Sequence, residues 1–135
     1  MPTQTEEFLR THPRDVVGDA GLLSSAVERL AACAQACVAC ADACLGERDA
    51  GDLVPCVRSN QDCADVCEAT LRVLSRRTAV DPLLQRALLS VCAEYCRACA
   101  EECRRHADRH EHCALCADTC MLCEDACTRL MARIG

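Results

Sequence analysis

Cysteine spacing is the feature that most constrains this chain. Sixteen of its 135 residues are cysteine, and within the clusters they recur at steps of three and four residues, apart from one step of seven between Cys56 and Cys63. Those steps are the a/d positions of a heptad, which place side chains on one stripe of a helix. The stripe holds Cys33, Cys37, Cys40, Cys44, Cys56, Cys63, Cys67, Cys92, Cys96, Cys99, Cys103, Cys113, Cys116, Cys120, Cys123 and Cys127. The pattern therefore predicts helices that turn their sulfur atoms towards a shared interior.

Breaker residues divide the chain into four helical segments that follow a polar N-terminal segment, residues 1–21. The glycine-flanked loop 46–51 ends the first helix, and Asp52 is positioned to cap the second. Asp81 followed by Pro82 is a further start signal. The predicted helices cover about 22–45, 53–76, 82–106 and 112–133. Long helices with short connections predict one all-α domain over residues 1–135, an antiparallel up-down-up-down four-helix bundle with a Cys-lined core.

The two ends of the cysteine stripe differ in chemistry. At one end the predicted stripe runs into an apolar set: Leu23, Ala26, Leu30, Thr70, Leu74, Leu84, Leu88, Leu89, Leu130 and Ile134. At the other end it runs into Glu47, His106, His110 and His112. The sequence thus predicts a sulfur-lined tube that is closed by leucine and open through histidine.

Composition and charge exclude several classes of partner. The formal net charge is -6 and the aromatic residues are one Phe and one Tyr, so phosphate binding and base stacking are both disfavoured. Neither an export signal nor an uncharged apolar run of about 18 residues is found, which predicts a cytoplasmic protein that does not bind a membrane. In the cytosol thiols stay reduced, so a cysteine-dense chain is better explained by metal binding or catalysis than by disulfides.

Thiolate chemistry favours Cu(I) as the metal. Tetrahedral zinc takes about four thiolates per ion and leaves each site near -2, which is costly in a dry interior. Cu(I) is soft and carries one charge, so about one ion per bridging thiolate leaves the core near neutral. The predicted ligands are the sixteen cysteines, with His106, His110 and His112 admitting copper at the open end. A solvated helix end accounts for these three histidines equally well.

Asn60 interrupts the cysteine stripe of the second helix. An amide is a weak ligand for soft copper, so the residue either interrupts the local metal cluster or fixes the helix register as a buried polar group. The sequence alone leaves both interpretations open.

Two other functional classes remain as alternatives. The chain contains four Cys-x-x-Cys pairs, Cys37/Cys40, Cys96/Cys99, Cys113/Cys116 and Cys120/Cys123. Such pairs are typical of thiol–disulfide redox proteins. However, no strands alternate with the predicted helices, as a thioredoxin-like fold requires. The other class is a zinc-binding or disulfide-held helical scaffold.

The repeated motif Cys-x3-Cys-x2-Cys-x3-Cys, at Cys33–Cys44 and Cys92–Cys103, resembles that of the cytosolic copper storage proteins of bacteria. The resemblance spans all four predicted helices. It implies cuprous-thiolate clusters inside a four-helix bundle, a homotetramer of such bundles, and a role in sequestering copper. The sequence offers no catalytic nucleophile, so we expect the chain not to be an enzyme. A protein that donates copper is a further expected partner.

Overall fold

The computed structural model describes residues 1–134 and contains five α-helices within them. They are α1 (Gln4–Thr11), α2 (Ala20–Leu45), α3 (Val54–Ser75), α4 (Pro82–Arg104) and α5 (Glu111–Met131). Helix α2 packs against α3 and α5, and α4 packs against the same two helices. The four long helices therefore close around one axis, which confirms the predicted bundle. Gly135, the last residue of the predicted domain, lies outside the described residues.

Helix starts follow the predicted caps in one case and depart from them in another. The Asp81 carboxylate accepts from the backbone N–H groups of Leu83 (3.0 Å) and Leu84 (3.2 Å), as predicted. Asp52 does not cap α3, because it lies inside a 3₁₀ turn, Ala50–Leu53, that runs directly into the helix. A capping residue needs an extended backbone before the first turn, and Asp52 lacks it. The predicted cap at Asp52 is therefore wrong.

The N-terminal segment contains a helix that the sequence analysis did not predict. Helix α1 begins with a capping box in which the Thr3 hydroxyl accepts from the Glu6 N–H (3.2 Å) and the Glu6 carboxylate accepts from the Thr3 N–H (3.0 Å). Leu9 packs against the core and α1 lies on α2. The Thr-x-x-Glu signature of a capping box was readable in the sequence and marks this start.

Helix α2 satisfies the length and composition criteria for crossing a membrane. In the structure 44 % of its most apolar stretch is buried in the bundle. The core helices of soluble proteins pass the same criteria, and here α3 and α5 cover the apolar stripe of α2. The buried stripe of α2 therefore belongs to the core of the bundle.

The leucine end of the bundle, called the closed end below, is largely as predicted. Its buried apolar residues are Leu23, Ala26, Leu30, Leu74, Leu89 and Leu130. Leu84 is 69 % exposed, and Gln85, at 4 % exposure, takes the core position instead. The reason is the register, because steps of three and four back from Cys92 reach Leu89 and then Gln85. The predicted place of Leu84 in the core is therefore wrong, and Leu88 and Ile134 are half-buried.

Candidate metal centre

The sixteen cysteine side chains form the centre of the bundle. All are free thiols and none is more than 2 % exposed. Sulfur atoms on different helices approach closely, at 3.6 Å for Cys67 and Cys96 and 3.7 Å for Cys33 and Cys120. The predicted convergence of sulfur atoms on a shared interior is therefore confirmed.

These sulfur atoms form groups that share members. Cys37 and Cys120 belong to one group with Cys33 and Cys63 and to another with Cys99 and Cys116. Within each group the sulfur atoms lie within 4.8 Å of one another. A metal–thiolate bond is about 2.3 Å for zinc, so two sulfur atoms on one metal lie within about 4.6 Å. Shared membership favours thiolates that bridge several metals over separate tetrahedral sites.

Asn60 lies within this column of sulfur atoms and is fully buried. Its Oδ1 accepts from the thiols of Cys99 (3.1 Å), Cys116 (3.2 Å) and Cys103 (3.6 Å), and its Nδ2 donates to the Cys56 sulfur (3.7 Å). The amide thus positions four thiols, and its oxygen occupies the place that the sulfur atom of a cysteine at residue 60 would take in the stripe. On the facing helices Cys37 lies 3.9 Å from Cys116, so the column of sulfur atoms continues past the amide.

At the opposite end from the leucines, called the open end below, one histidine reaches the sulfur atoms. His112 Nδ1 lies 3.4 Å from Cys40 Sγ and 3.6 Å from Cys113 Sγ. With Cys44 these residues form a group of three sulfur atoms and one imidazole. Of the three predicted histidines, His112 is the one that the structure places among the thiols.

His106 and His110 lie at the same end but face carboxylates. His106 Nε2 is 2.8 Å from Glu102, and His110 contacts Glu47 (2.8 Å) and Asp49 (2.9 Å) through its two ring nitrogens. Helix α4 ends at Arg104, so the stripe does not continue as helix to His110, which precedes α5. The prediction that His106 and His110 admit copper is therefore not supported by any sulfur contact.

Two carboxylates at the open end were missed by the sequence analysis. Glu102 precedes His106 by four residues, a spacing that brings side chains together on a helix and was readable in advance. Asp49 meets His110 only through the packing of two loops that are distant in sequence.

The comparisons with known proteins agree with this geometry. Residues 20–132 match the sequence model of the Csp family, described as copper storage protein. The chain belongs to the copper storage protein family. A search of curated protein sequences finds no match.

Solved structures of family members superpose on this chain. Ccsp from Streptomyces lividans, loaded with 10 copper equivalents, is 50 % identical with a TM-score of 0.94, covering 96 % of this chain and 99 % of that one. A cytosolic copper storage protein from the same organism, with five coppers, is 51 % identical with a TM-score of 0.84, covering 85 % and 96 %. The Cu(I)-bound copper storage protein BsCsp3 is 28 % identical with a TM-score of 0.72, covering 81 % and 97 %.

Electrostatics at the open end of this copper storage protein keep some thiols protonated. Burial, together with the neighbouring charge of Cys40, raises the pKa of Cys44 from 9.0 to about 11. Burial likewise raises the pKa of Cys113. For His112 burial opposes the charged ring, but the Cys40 sulfur and the Glu47 carboxylate outweigh it and raise the pKa. A metal that binds Cys44 or Cys113 at neutral pH must therefore displace a proton.

Proposed function

We propose that this chain is a cytoplasmic, non-enzymatic store that holds many Cu(I) ions through the core thiolates. The observation that carries the proposal is the set of overlapping sulfur groups within one buried column. Bridging thiolates with a monovalent soft ion keep such a column near neutral, whereas zinc in four-thiolate sites leaves about two negative charges per site. The Cu(I)-bound and cytosolic relatives support both the metal and the location.

A redox protein and a disulfide-held scaffold fit the structure less well than a copper store does. A thiol–disulfide redox protein presents an accessible, reactive cysteine, whereas all members of the Cys-x-x-Cys pairs are at most 2 % exposed. A disulfide-held scaffold requires bonded sulfur atoms, whereas the sixteen thiols are free. A zinc-binding scaffold is tested directly by the titration described below.

The proposed ligands are the sixteen cysteines and His112, with His106 and His110 as outer groups past which copper moves. A homotetramer is proposed on the family resemblance, and a protein that donates copper is proposed as a further partner. On α4 the exposed apolar side chains Leu84, Val91 and Tyr95 provide surface that an assembly of bundles could cover.

The proposed function is tested by anaerobic titration of the fully reduced chain with Cu(I) against a competing chelator. We expect tight uptake on the order of one ion per thiolate, since each thiolate can bridge two soft ions. A parallel Zn(II) titration is expected to stop at about one ion per four thiolates. Saturation with one or two copper ions would rule out a store.

Alanine at His106, His110 and His112 together is expected to slow copper uptake while leaving the final copper content nearly unchanged. Uptake should slow because the three rings lie at the open end, and the copper content should stay nearly unchanged because most thiolates lie deeper in the bundle. Stopped-flow absorbance in the ultraviolet follows thiolate–copper bonds as they form, and we expect a loss in rate on the order of tenfold. Unchanged rates in the triple variant contradict a role in copper uptake, and comparison with the H106A/H110A variant separates the outer rings from His112.

A further inference from the structure

Glu47 is the carboxylate that joins two histidine rings at the open end. Its Oε2 lies 2.8 Å from Nδ1 of His110 and 2.9 Å from Nε2 of His112. The two rings are stacked, with centroids 5.5 Å apart and planes inclined by 22°. Glu47 follows the end of α2, whereas the histidines lie at the start of α5. One carboxylate oxygen therefore links the loop after α2 to the start of α5 and contacts both rings.

This contact determines which nitrogen of His112 faces the sulfur atoms. An ionised carboxylate only accepts hydrogen bonds, so Nε2 of His112 carries the hydrogen that it donates to Glu47. In the neutral ring the lone pair is then on Nδ1, which lies 3.4 Å from Cys40 Sγ and 3.6 Å from Cys113 Sγ. With the other tautomer an N–H group would face the thiols, and the ring could not bind a metal there.

We propose that Glu47 is a positioning residue for copper uptake, which holds the His112 ring with Nδ1 free to receive a cuprous ion beside Cys40 and Cys113. The inference rests on the proposed function. Glu47 acts through the ring rather than as a ligand, because a carboxylate oxygen is a hard donor that soft Cu(I) disfavours. A carboxylate behind a metal-binding imidazole fixes its tautomer and orientation in this way.

The test compares Glu47→Ala, Glu47→Gln and Asp49→Ala in the reduced, full-length chain. The first readout is the ¹⁵N spectrum of the His112 ring in metal-free protein, at a pH where the ring is neutral. The second is the rate of uptake of the first copper ion, and the third is the final copper content. Asp49 is the matched control because it contacts His110 but not His112, so any slowing in Asp49→Ala measures the loss of negative charge at the open end.

We expect Glu47→Ala to populate both tautomers of His112 and to slow uptake of the first ion roughly tenfold, with an unchanged final content. The glutamine side chain retains an oxygen that accepts from Nε2, so Glu47→Gln should restore most of the Nε2–H tautomer and of the rate. Adding Glu47→Ala to His112→Ala should cause no further slowing, because the residue acts through that ring.

Several results would overturn the proposal. An unchanged tautomer with an unchanged rate in Glu47→Ala excludes positioning. Equal slowing in Glu47→Ala and Asp49→Ala, or a slow Glu47→Gln variant that keeps the Nε2–H tautomer, assigns the effect to charge alone. Further slowing in the double variant shows that Glu47 acts without His112. Failure of the proposed function is distinct, since the unsubstituted chain would then bind only one or two copper ions.

Discussion

Replacing Cys37 and Cys120 together with serine is expected to divide the column of sulfur atoms at its middle. These two residues connect the group of Cys33 and Cys63 with that of Cys99 and Cys116. Serine has a similar shape, but its hard oxygen binds Cu(I) poorly. On the proposed function copper moves inward from one sulfur group to the next, and the thiolates beyond the break should then fill slowly. We expect a second phase of uptake at least roughly tenfold slower, which corresponds to about 1.4 kcal/mol in activation free energy.

The matched control is the Cys123→Ser, Cys127→Ser variant. It removes the same number of buried thiols, but from the part of α5 nearest the closed end. Both variants should lose a similar share of copper content, since each lacks two thiolates, and both place two hydroxyls in the core. Only the variant in the middle of the column should show the slow phase in stopped-flow absorbance. If the two variants fill with the same time course, copper does not move from one sulfur group to the next along the column.

Copper uptake is expected to release about one proton per ion bound at neutral pH. A dry core cannot hold sixteen unpaired thiolates, because the effective desolvation cost is several kcal/mol per ion. From this desolvation cost we expect most core thiols of the metal-free chain to be neutral, and burial raises the pKa of Cys44 to about 11. Each Cu(I) then replaces a proton, and the net charge of the core stays near zero during loading.

The proton count is measured with a pH indicator in weakly buffered anaerobic solution, with Cu(I) supplied as a complex with a neutral, non-basic ligand. Zinc bound by four thiols should release more protons per ion, which makes it the control. Uptake of copper without proton release shows that the core thiols are already ionised, and it contradicts the argument for neutrality.

The raised pKa of Cys44 should make the folded, metal-free chain less stable as the pH rises into the alkaline range. The folded state keeps a proton on Cys44 up to about pH 11, whereas an ordinary thiol with a pKa of 9.0 loses it earlier. Between these values the unfolded state binds fewer protons, so stability falls as the pH rises. Loaded protein, whose thiolates are already bound to metal, should lack this dependence in thermal melts monitored by circular dichroism.

Local signals in the sequence predicted most of the bundle. Asp81 and Pro82 begin α4 as expected, because a cap depends on neighbours within one turn. Thr3 and Glu6 carry the same kind of local signal, a capping box, at the start of α1. Asp52 was predicted wrongly because its backbone conformation depends on the 3₁₀ turn that precedes α3. Leu84 was predicted in the core although strict register places Gln85 there.

The sequence by itself determined that the sulfur atoms lie inside the protein, because steps of three and four residues fix one face of each helix regardless of its neighbours. It also determined which end is apolar. Only the tertiary structure decided that His112, and not His106 or His110, contacts the thiols, and that Glu47 orients its ring. The contacts of His112 with Cys40 and with Glu47 join residues more than sixty positions apart in the sequence, where helical periodicity carries no information about distance or orientation.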